Sequence, residues 1–333
     1  MFAKLWGHAV KSIAIQTPIS RDGLRRRHTM NRTVLVTGAH GFLGRHVARA
    51  FANDGATVTG LGHGAWDRST ADDFGLTFWH SADVTLDTLV TYGGKPDVIV
   101  HCAGSGSVGF SVEQPHQDFV RTVANTAAVL EYVRLHSPRT VVVYPSSAAV
   151  YGNAIRLPIR EDSALSPASP YGVHKLMAEE LCQSYARHYG LAVAIVRYFS
   201  IYGEGLQKQL LWDACAKALR TESAFFGTGE ELRDWVHVDD AAALLKTAAL
   251  HATSACPVVN GASGAGVTVR EILTELLAAA GKPSPTFNGT PRPGDPMGYV
   301  ADIAAATAWG WAPTIPWRDG VRRYAAWFAS RAR

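Results

Sequence analysis

Two side chains that can move a proton, Tyr171 and Lys175, stand four residues apart in the stretch Ser169–Glu180. Pro170 can begin a helix here, because proline is tolerated in the first turn, and a spacing of four places both side chains on one helical face. An ammonium beside a phenol favours the phenolate. A tyrosine titrates near 10, so acid–base work near neutral pH needs a pKa shift of about three units, or roughly 4 kcal/mol. A nearby Lys175 and a positively charged nicotinamide can supply such a shift; the spacing alone equally fits a surface pair.

A glycine-rich turn joins the first predicted strand to the first predicted helix. The β-branched run Arg32–Thr37 is typical of a buried strand, and Gly38-Ala-His-Gly-Phe-Leu-Gly44 follows at once. Gly38 permits a tight turn, Gly41 lets the backbone approach a pyrophosphate, and Gly44 lets helix and strand pack closely. The helix N-terminus adds free N–H groups for the anion. The spacing G-x-x-G-x-x-G departs from the usual G-x-G-x-x-G, but its strand–turn–helix context predicts a phosphate site for NAD or NADP.

The second predicted strand, Thr57–Leu61, ends without the carboxylate that usually binds the adenosine ribose about 20 residues after the first glycine. Gly62–Gly64 stand there instead, followed by Asp67 and Arg68. A missing carboxylate removes repulsion against a 2′-phosphate, and His63 or Arg68 can contact one. This favours NADPH; the alternative is that Asp67 or backbone groups bind the ribose of NAD.

Further strands alternate with helices along the first two thirds of the chain. Strands three to six are predicted at Leu76–Val84, Asp97–Gly104, Thr140–Ser147 and Leu191–Phe199, with helices over 115–136 and from Pro170 between them. This alternation predicts an α/β fold with a Rossmann-type doubly wound parallel sheet, whose ligands bind at the carboxyl ends of the strands. After Tyr202–Gly205 the pattern changes and predicts a smaller, interleaved α/β domain. We assign 31–203 and about 235–262 to an NAD(P)-binding domain, and about 204–234 and 263–333 to a smaller substrate-binding domain.

The composition is that of an ordinary globular protein preceded by a basic segment. The net charge is +4, but residues 1–30 carry six basic side chains and one acid, so the remainder has a charge of −1. The basic pI is therefore no argument for nucleic-acid binding by the folded body, and we expect residues 1–30 to be a disordered extension. No apolar run approaches the ~18 residues of a membrane helix. Four scattered cysteines and 13 histidines lack disulfide or metal spacing, so we expect a cytoplasmic protein with free thiols and no metal.

Eight short motifs occur in order along the chain: Thr37–Gly44, Asp83–Val84, His101–Gly104, Ser146–Gly152, Pro170–Lys175, Arg197–Gly203, Arg233–Asp240 and Arg292–Asp295. With them the chain, from about Arg32 to its C-terminus, resembles the nucleotide-sugar epimerase/dehydratase family of extended short-chain dehydrogenases/reductases, and most of all its UDP-glucose 4-epimerase-like enzymes. The resemblance implies that Tyr171 is the general acid/base on the sugar, that Lys175 lowers its pKa and holds the nicotinamide ribose, and that Ser147 hydrogen-bonds the reacting oxygen. It implies that the second domain, about 204–234 and 263–333, is a nucleotide-sugar-binding domain. It also implies a homodimer formed through helices 115–136 and 171–189.

The predicted contacts combine the residues above with those that the resemblance implies. The cofactor contacts are Gly38, Gly41, Phe42, Leu43, Gly44, His63, Arg68, Asp83, Val84, Ala103, Gly104, Tyr171, Lys175 and Tyr198. The contacts to a nucleoside-diphosphate sugar are Ser107, Ser147, Ser200, Arg233, Arg292 and Asp295. The two arginines suit its diphosphate, because a guanidinium binds such groups through two parallel hydrogen bonds.

Three departures from the family pattern bear on the reaction. Thr122 replaces a helix asparagine, Ser200 replaces the asparagine before Tyr-Gly, and the acid after strand two is absent. They argue against a standard UDP-glucose 4-epimerase and leave the sugar open. Ala148 and Ala149 stand where dehydratases have an acidic pair, which argues against 4,6-dehydration. The sequence predicts C4 epimerisation of a nucleoside-diphosphate hexose through a 4-keto intermediate, with NAD; the alternatives are an NADPH-dependent 4-keto reductase of a deoxyhexose and a non-catalytic NAD(P)-binding regulatory protein.

Overall fold

The computed structural model describes residues 32–153, 156–220, 222–290 and 298–331. Its strands are β1 Thr33–Thr37, β2 Thr57–Gly62, β3 Phe78–Ser81, β4 Val98–His101, β5 Val141–Ser147, β6 Val193–Tyr198, β7 Ser200–Tyr202, β8 Ala224–Phe225, β9 Leu232–His237, β10 Val258–Gly261, β11 Gly266–Thr268, β12 Thr286–Phe287 and β13 Gly298–Tyr299. Its α-helices are α1 Phe42–Ala52, α2 Arg68–Asp73, α3 Leu86–Tyr92, α4 Val108–Glu113, α5 Pro115–Phe119, α6 Asn125–His136, α7 Pro170–Tyr189, α8 Gln209–Leu219, α9 Val238–His251, α10 Val269–Ala279, α11 Ala304–Ala308 and α12 Trp317–Arg331.

Seven parallel strands form the central sheet, in the order β10–β6–β5–β4–β1–β2–β3. One face packs against α1 and α9 through a core that includes Val36, Val47 and Leu245. The other face packs against α6 and α7 through residues such as Ile99 and Val133. Strands covered on both faces are mostly apolar, and β4 and β6 are accordingly buried along their whole length. The predicted Rossmann-type doubly wound parallel sheet is confirmed, and its strand order reverses between β1 and β4, where such folds bind ligands.

Helix α7, which carries Tyr171, begins where the sequence predicts. The Oγ of Ser169 accepts the backbone N–H of Gly172 at 3.2 Å, and Pro170 occupies the first helical position. Both features satisfy a helix start, because the first N–H groups have no partner within the helix. The helix ends at Gly190, whose φ of +72° suits glycine. The first turn of α7 is therefore held in place by local chemistry.

The predicted helix over 115–136 is present, but its hydrogen bonding changes part-way along. A π-helical turn, Val120–Ala124, joins α5 to α6. Such turns are rare and recur at functional sites. This one contains Thr122, whose Oγ accepts the backbone N–H of Ser105 at 3.4 Å. The turn thereby contacts the loop that follows β4.

A second sheet contains β7, β9, β11 and β13. Strand β9 pairs in parallel with β7 and β13 and antiparallel with β11. Helices α8, α10 and α12 cover it through a separate core that includes Leu211, Ile272 and Tyr324. Both sheets belong to one compact unit, Asn31–Arg333, so the boundaries of the two domains remain a prediction. Within the described residues, no helix has the length and apolarity needed to cross a membrane.

Candidate active site

The carboxyl end of β5 and the first turn of α7 bring Ser147, Tyr171 and Lys175 together. The Oγ of Ser147 accepts the backbone N–H of Ala149 at 3.2 Å, which leaves its own proton available to donate. The same hydroxyl hydrogen-bonds with the phenol of Tyr171. The Nζ of Lys175 donates to the carbonyl of Pro145 at 3.0 Å. One strand end therefore holds a hydroxyl, a phenol and an ammonium close to one another.

Burial decides the proton affinities of this cluster. Burial raises the pKa of Tyr171, the hydrogen bond with Ser147 lowers it, and the carboxylate of Asp118 raises it further. Burial also lowers the pKa of Lys175 to about 8, although its Nζ lies 4.8 Å from the ring centroid of Tyr144, in a cation–π contact. In the protein alone the pKa of the phenol lies above its ordinary value, because desolvation disfavours the charged phenolate. That Lys175 lowers this pKa stays a prediction.

The glycine turn after β1 forms a cradle against the loop that follows β4. Gly38 has a φ of +69°, and a Cβ there would lie 2.6 Å from the backbone nitrogen of Ala103. A Cβ on Gly44 would lie 2.2 Å from the carbonyl oxygen of Gly38, so α1 packs directly on the turn. Gly41 caps α1 without any side-chain hydrogen bond, which leaves the N–H groups of Phe42 and Leu43 in the uncapped first turn. The site requires glycine where the sequence places it.

The end of β2 places two predicted cofactor residues in contact with each other. The Nε2 of His63 lies 2.8 Å from the Oδ1 of Asp83, and both side chains are largely exposed. Arg68 lies elsewhere: it pairs with Asp72 at 2.9 Å and donates to the carbonyl of Thr77. The side chain of Val84 is buried in the core, so only its backbone is available to a ligand.

The loop after β4 faces the start of α8. Ala103 donates its backbone N–H to Thr37, and Gly104 has a φ of +147°. The Oγ of Ser107 caps α4 by accepting the N–H of Phe110. The Nζ of Lys208 donates to the carbonyl of Gly106 at 3.1 Å. A cation from the second half of the chain therefore lies over the loop in which Ser107 was predicted to contact the substrate.

The remaining predicted residues lie on β6, β7 and the second sheet. The hydroxyl of Tyr198 donates to the carbonyl of Ala241 at 2.6 Å, so this side chain belongs to the core rather than to the ligand cradle. Ser200 begins β7. Arg233 of β9 is in register with Tyr299 of β13. Arg292 and Asp295 lie outside the described residues.

Tyr299 connects Arg233 to the reacting strand. Its hydroxyl donates to the carbonyl of Ala148 at 3.2 Å and also to that of Gly152. Ala148 directly follows Ser147 in the chain. Arg233 therefore lies directly opposite, on the neighbouring strand, a residue whose hydroxyl binds the segment after Ser147.

Comparison with known protein families agrees with this arrangement. The family model described as the NAD dependent epimerase/dehydratase family matches residues 34–260, which include the glycine cradle, Ser147, Tyr171 and Lys175. The chain belongs to this family. The family resemblance inferred from the sequence motifs is confirmed.

Several members of the family are similar to this chain over most of its length. The UDP-glucose 4-epimerase of Azospirillum brasilense is 32% identical over 316 residues, which cover 88% of this chain and 90% of that protein. A putative UDP-glucose 4-epimerase of Methanocaldococcus jannaschii is 29% identical over 307 residues, 90% of this chain and 99% of that protein. The structure of the UDP-glucuronic acid 4-epimerase from Bacillus cereus, in complex with UDP-glucuronic acid and NAD, has a TM-score of 0.80 and 26% identity, and covers 90% of this chain and 99% of that one.

In this member of the epimerase/dehydratase family, the residues of the glycine turn and the start of α1 fit a dinucleotide. A Cβ at Gly38 or Gly62 would fill the cradle, since it would meet backbone atoms at 2.6 Å and 3.2 Å respectively. The uncapped start of α1 adds N–H donors and the positive end of a helix dipole. Gly38, Gly41 and the first turn of α1 would hold the pyrophosphate, and Lys175 would lie at the nicotinamide end.

Two contacts of the candidate active site were not predicted from the sequence. Ser111 accepts the backbone N–H of Tyr171 at 3.0 Å, so α4 fixes the first turn of α7. Lys208 reaches Gly106 across 102 residues of chain. A serine and a lysine are common surface residues, and neither stands in a motif, so only the folded chain identifies them.

Proposed function

We propose that this protein catalyses the C4 epimerisation of a UDP-hexose through a 4-keto intermediate, with NAD as a bound cofactor. The observation that carries the proposal is the cluster of Ser147, Tyr171 and Lys175 at the end of β5, close to a glycine cradle. The UDP-sugar 4-epimerases to which the chain is similar support the substrate class. The particular hexose stays open.

Each side chain of this cluster has a separate role in the proposed reaction. When bound, the nicotinamide would accept a hydride from C4 of the sugar and return it to the opposite face of that carbon. Tyr171 takes the proton of the sugar hydroxyl as the carbonyl forms and returns it at the end of the cycle. Ser147, whose proton is available, donates a hydrogen bond to the same oxygen and steadies its developing charge. Lys175 donates one N–H to Pro145, which leaves two for the cofactor ribose.

The side chains around β2 favour NAD over NADP. The two side chains predicted to bind a 2′-phosphate are engaged elsewhere, since His63 contacts Asp83 and Arg68 pairs with Asp72. Arg45 donates to the carbonyl of Gly41 in the glycine turn. The carboxylate of Asp83 would also repel a 2′-phosphate placed beside His63. These contacts support an enzyme that keeps one NAD through each cycle.

The second candidate is an NADPH-dependent 4-keto reductase. One observation favours it: β2 ends at Gly62 and His63, with no carboxylate there to bind the ribose of NAD. A reductase consumes one NADPH for each product, whereas an epimerase consumes none. The third candidate, a non-catalytic NAD(P)-binding regulatory protein, would not require Tyr171 and the buried Lys175 beside it.

One experiment separates the three candidates. Purified protein is denatured and its released nucleotide identified, and intact protein is then mixed with UDP-glucose or UDP-glucuronic acid while absorbance at 340 nm is followed. Released NAD, formation of the C4 epimer and no net change at 340 nm are expected. Stoichiometric oxidation of added NADPH by a 4-keto sugar nucleotide would replace the proposal with the reductase. Bound nucleotide without turnover of either substrate class would favour the regulatory protein.

We also propose that the protein is a cytoplasmic homodimer. Cys102, Cys182, Cys215 and Cys256 are free, which suits a reducing compartment. Exposed apolar side chains on α5, the π turn and α7 support a partner surface there; they are Phe119, Val120, Val173 and Met177.

A further inference from the structure

A buried carboxylate and an imidazole meet beside the proposed catalytic helix. Asp118 of α5 is fully buried, and its Oδ2 lies 2.5 Å from the Nδ1 of His174 in α7. Its Oδ1 is buried with no hydrogen-bond partner among the described residues. A buried carboxylate without its full set of hydrogen bonds is costly unless an opposite charge compensates it. The contact with His174 is therefore the one hydrogen bond that compensates this carboxylate among the described residues.

Helix geometry places this pair next to the proposed acid/base. At about 100° per residue, Lys175 stands roughly 40° to one side of Tyr171 around α7 and His174 roughly 60° to the other. Tyr171 is therefore flanked by an ammonium and by the Asp118–His174 pair. The carboxylate of Asp118 acts on both neighbours, because it raises the pKa of Tyr171 and that of Lys175.

The other charged groups around this turn are paired or exposed. Glu179 of α7 pairs with Arg197 of β6 at 2.7 Å, both fully buried. On α6, Glu131 pairs with Arg134. On α4, α5 and the π turn, the side chains of Glu113, His116 and Arg121 are exposed. Cys102 and the phenols of Tyr144 and Tyr151 stay neutral, because burial raises their pKa. Asp118 is thus the buried acid near this turn whose described side-chain partner is His174.

We propose that the Asp118–His174 pair is a positioning pair for Tyr171, in which the imidazolium cancels a carboxylate that would otherwise hold the proton on the phenol. The inference rests on the proposed role of Tyr171 as the acid/base of the reaction. Without the carboxylate, the phenol ionises more easily. Without the imidazolium, the carboxylate is uncompensated and the phenol ionises less easily. The two halves of the pair therefore act on Tyr171 in opposite directions.

The test is a direct titration of Tyr171 in the cofactor-loaded protein. Tyrosine labelled with ¹³C at Cζ is incorporated, and the resonance of Tyr171 is assigned with Tyr171→Phe. We expect Asp118→Asn to move its titration midpoint down by roughly one pH unit and His174→Gln to move it up by a similar amount. The double variant should follow Asp118→Asn. Glu180→Gln and His188→Gln, at exposed positions of the same helix, are matched controls and should leave the midpoint unchanged.

Midpoints that move in the same direction in both variants, or in neither, would overturn the proposal, since a merely structural pair has no opposed effects. If Asp118→Asn does not fold, ¹⁵N spectra of the wild-type protein give the answer. Both ring nitrogens of His174 should carry a proton at pH 7, and a singly protonated ring would overturn the pairing. None of these measurements requires turnover. An absence of epimerase activity would contradict the proposed function and leave the positioning result standing.

Discussion

At the scale of single residues, Tyr171 lies between groups that change its pKa in opposite directions. Burial and Asp118 raise the pKa, and the hydrogen bond with Ser147 lowers it. A phenol with a raised pKa stays protonated near neutral pH, so little phenolate is present to act as the base. The forward half-reaction, in which Tyr171 must accept a proton, should therefore speed up as the pH rises above neutral.

Removal of the Tyr171 hydroxyl tests its role in proton transfer. We expect Tyr171→Phe to lower kcat about 10²–10⁴-fold, the usual effect of losing a general acid/base, while the melting temperature changes little because the ring remains. Steady-state kinetics with a UDP-hexose and thermal unfolding measure the two effects. Tyr189→Phe, at the exposed end of α7, is the matched control. A Tyr171→Phe enzyme within tenfold of wild type would refute the assignment.

The buried ammonium of Lys175 should lower the free energy of unfolding at neutral pH, because burial lowers its pKa from 10.5 to about 8. That difference corresponds to about 3 kcal/mol. Between pH 8 and 10.5 the unfolded state binds more protons than the folded state, so the free energy of unfolding of the wild type rises with pH across this window.

Lys175→Met should therefore be more stable than wild type at pH 7, by about 2 kcal/mol once the lost hydrogen bond to Pro145 is counted. The advantage should shrink between pH 8 and 10.5, and activity should be lost at every pH. Urea unfolding of the cofactor-free proteins at pH 7 and pH 10 measures the difference. A variant that is less stable than wild type at pH 7 would show that burial of the ammonium has no net cost.

At the scale of secondary-structure elements, one network of charges joins four distant segments. Arg323 of α12 contacts Glu204, which follows β7, at 2.9 Å and Asp239 of α9 at 3.0 Å. His46 of α1 pairs with Asp239, and His237 of β9 pairs with Glu204, each at 2.9 Å. The network thus connects helices of the central sheet to the helix that covers the second sheet.

The free energy of unfolding at acid pH should depend on this network. Burial raises the pKa of Glu204, but the hydrogen bond with His237 and the contact with Arg323 outweigh burial and bring this pKa down to about 2. A depressed carboxylate pKa stabilises the fold above the unfolded value near 4.5, and this contribution is lost as the pH falls towards 2.

Glu204→Gln should therefore lower the free energy of unfolding at pH 7 by about 1–2 kcal/mol, allowing for partial exposure. The difference from wild type should vanish as the pH falls from 4.5 to 2. Urea unfolding at several pH values measures it, with Glu180→Gln as a control expected within about 0.5 kcal/mol of wild type. An equal loss of stability at all pH values would mean that Glu204 acts by packing alone.

At the scale of the whole molecule, the proposed homodimer depends on the outer surface of α5 and α7. Met177, 40% exposed in the middle of this surface, is the test position. We expect Met177→Glu to shift the protein from dimer to monomer in size-exclusion chromatography with light scattering, because the substitution buries a charge in an apolar contact. Leu219→Glu, on α8 and 60% exposed, should remain dimeric. A wild-type protein that is monomeric at micromolar concentration would refute the dimer.

The sequence by itself determined the features that depend on short-range backbone chemistry. The alternation of apolar runs with helical stretches gave the parallel sheet, Ser169 and Pro170 set the start of α7, and the three glycines of the first turn fixed its shape. These features can be predicted because each depends on residues within a few positions of one another. The order of the motifs was likewise sufficient to identify the family.

Only the tertiary structure decided which groups face the site and how their protons are held. Asp118 meets His174 across 56 residues of chain, and Lys208 meets Gly106 across 102. Burial raises the pKa of Tyr171, and the spacing to Lys175 could not show this, because spacing gives the neighbour but not the burial. Proton affinity depends on the loss of water around a group and on charges from other elements, and both are set when distant segments pack together.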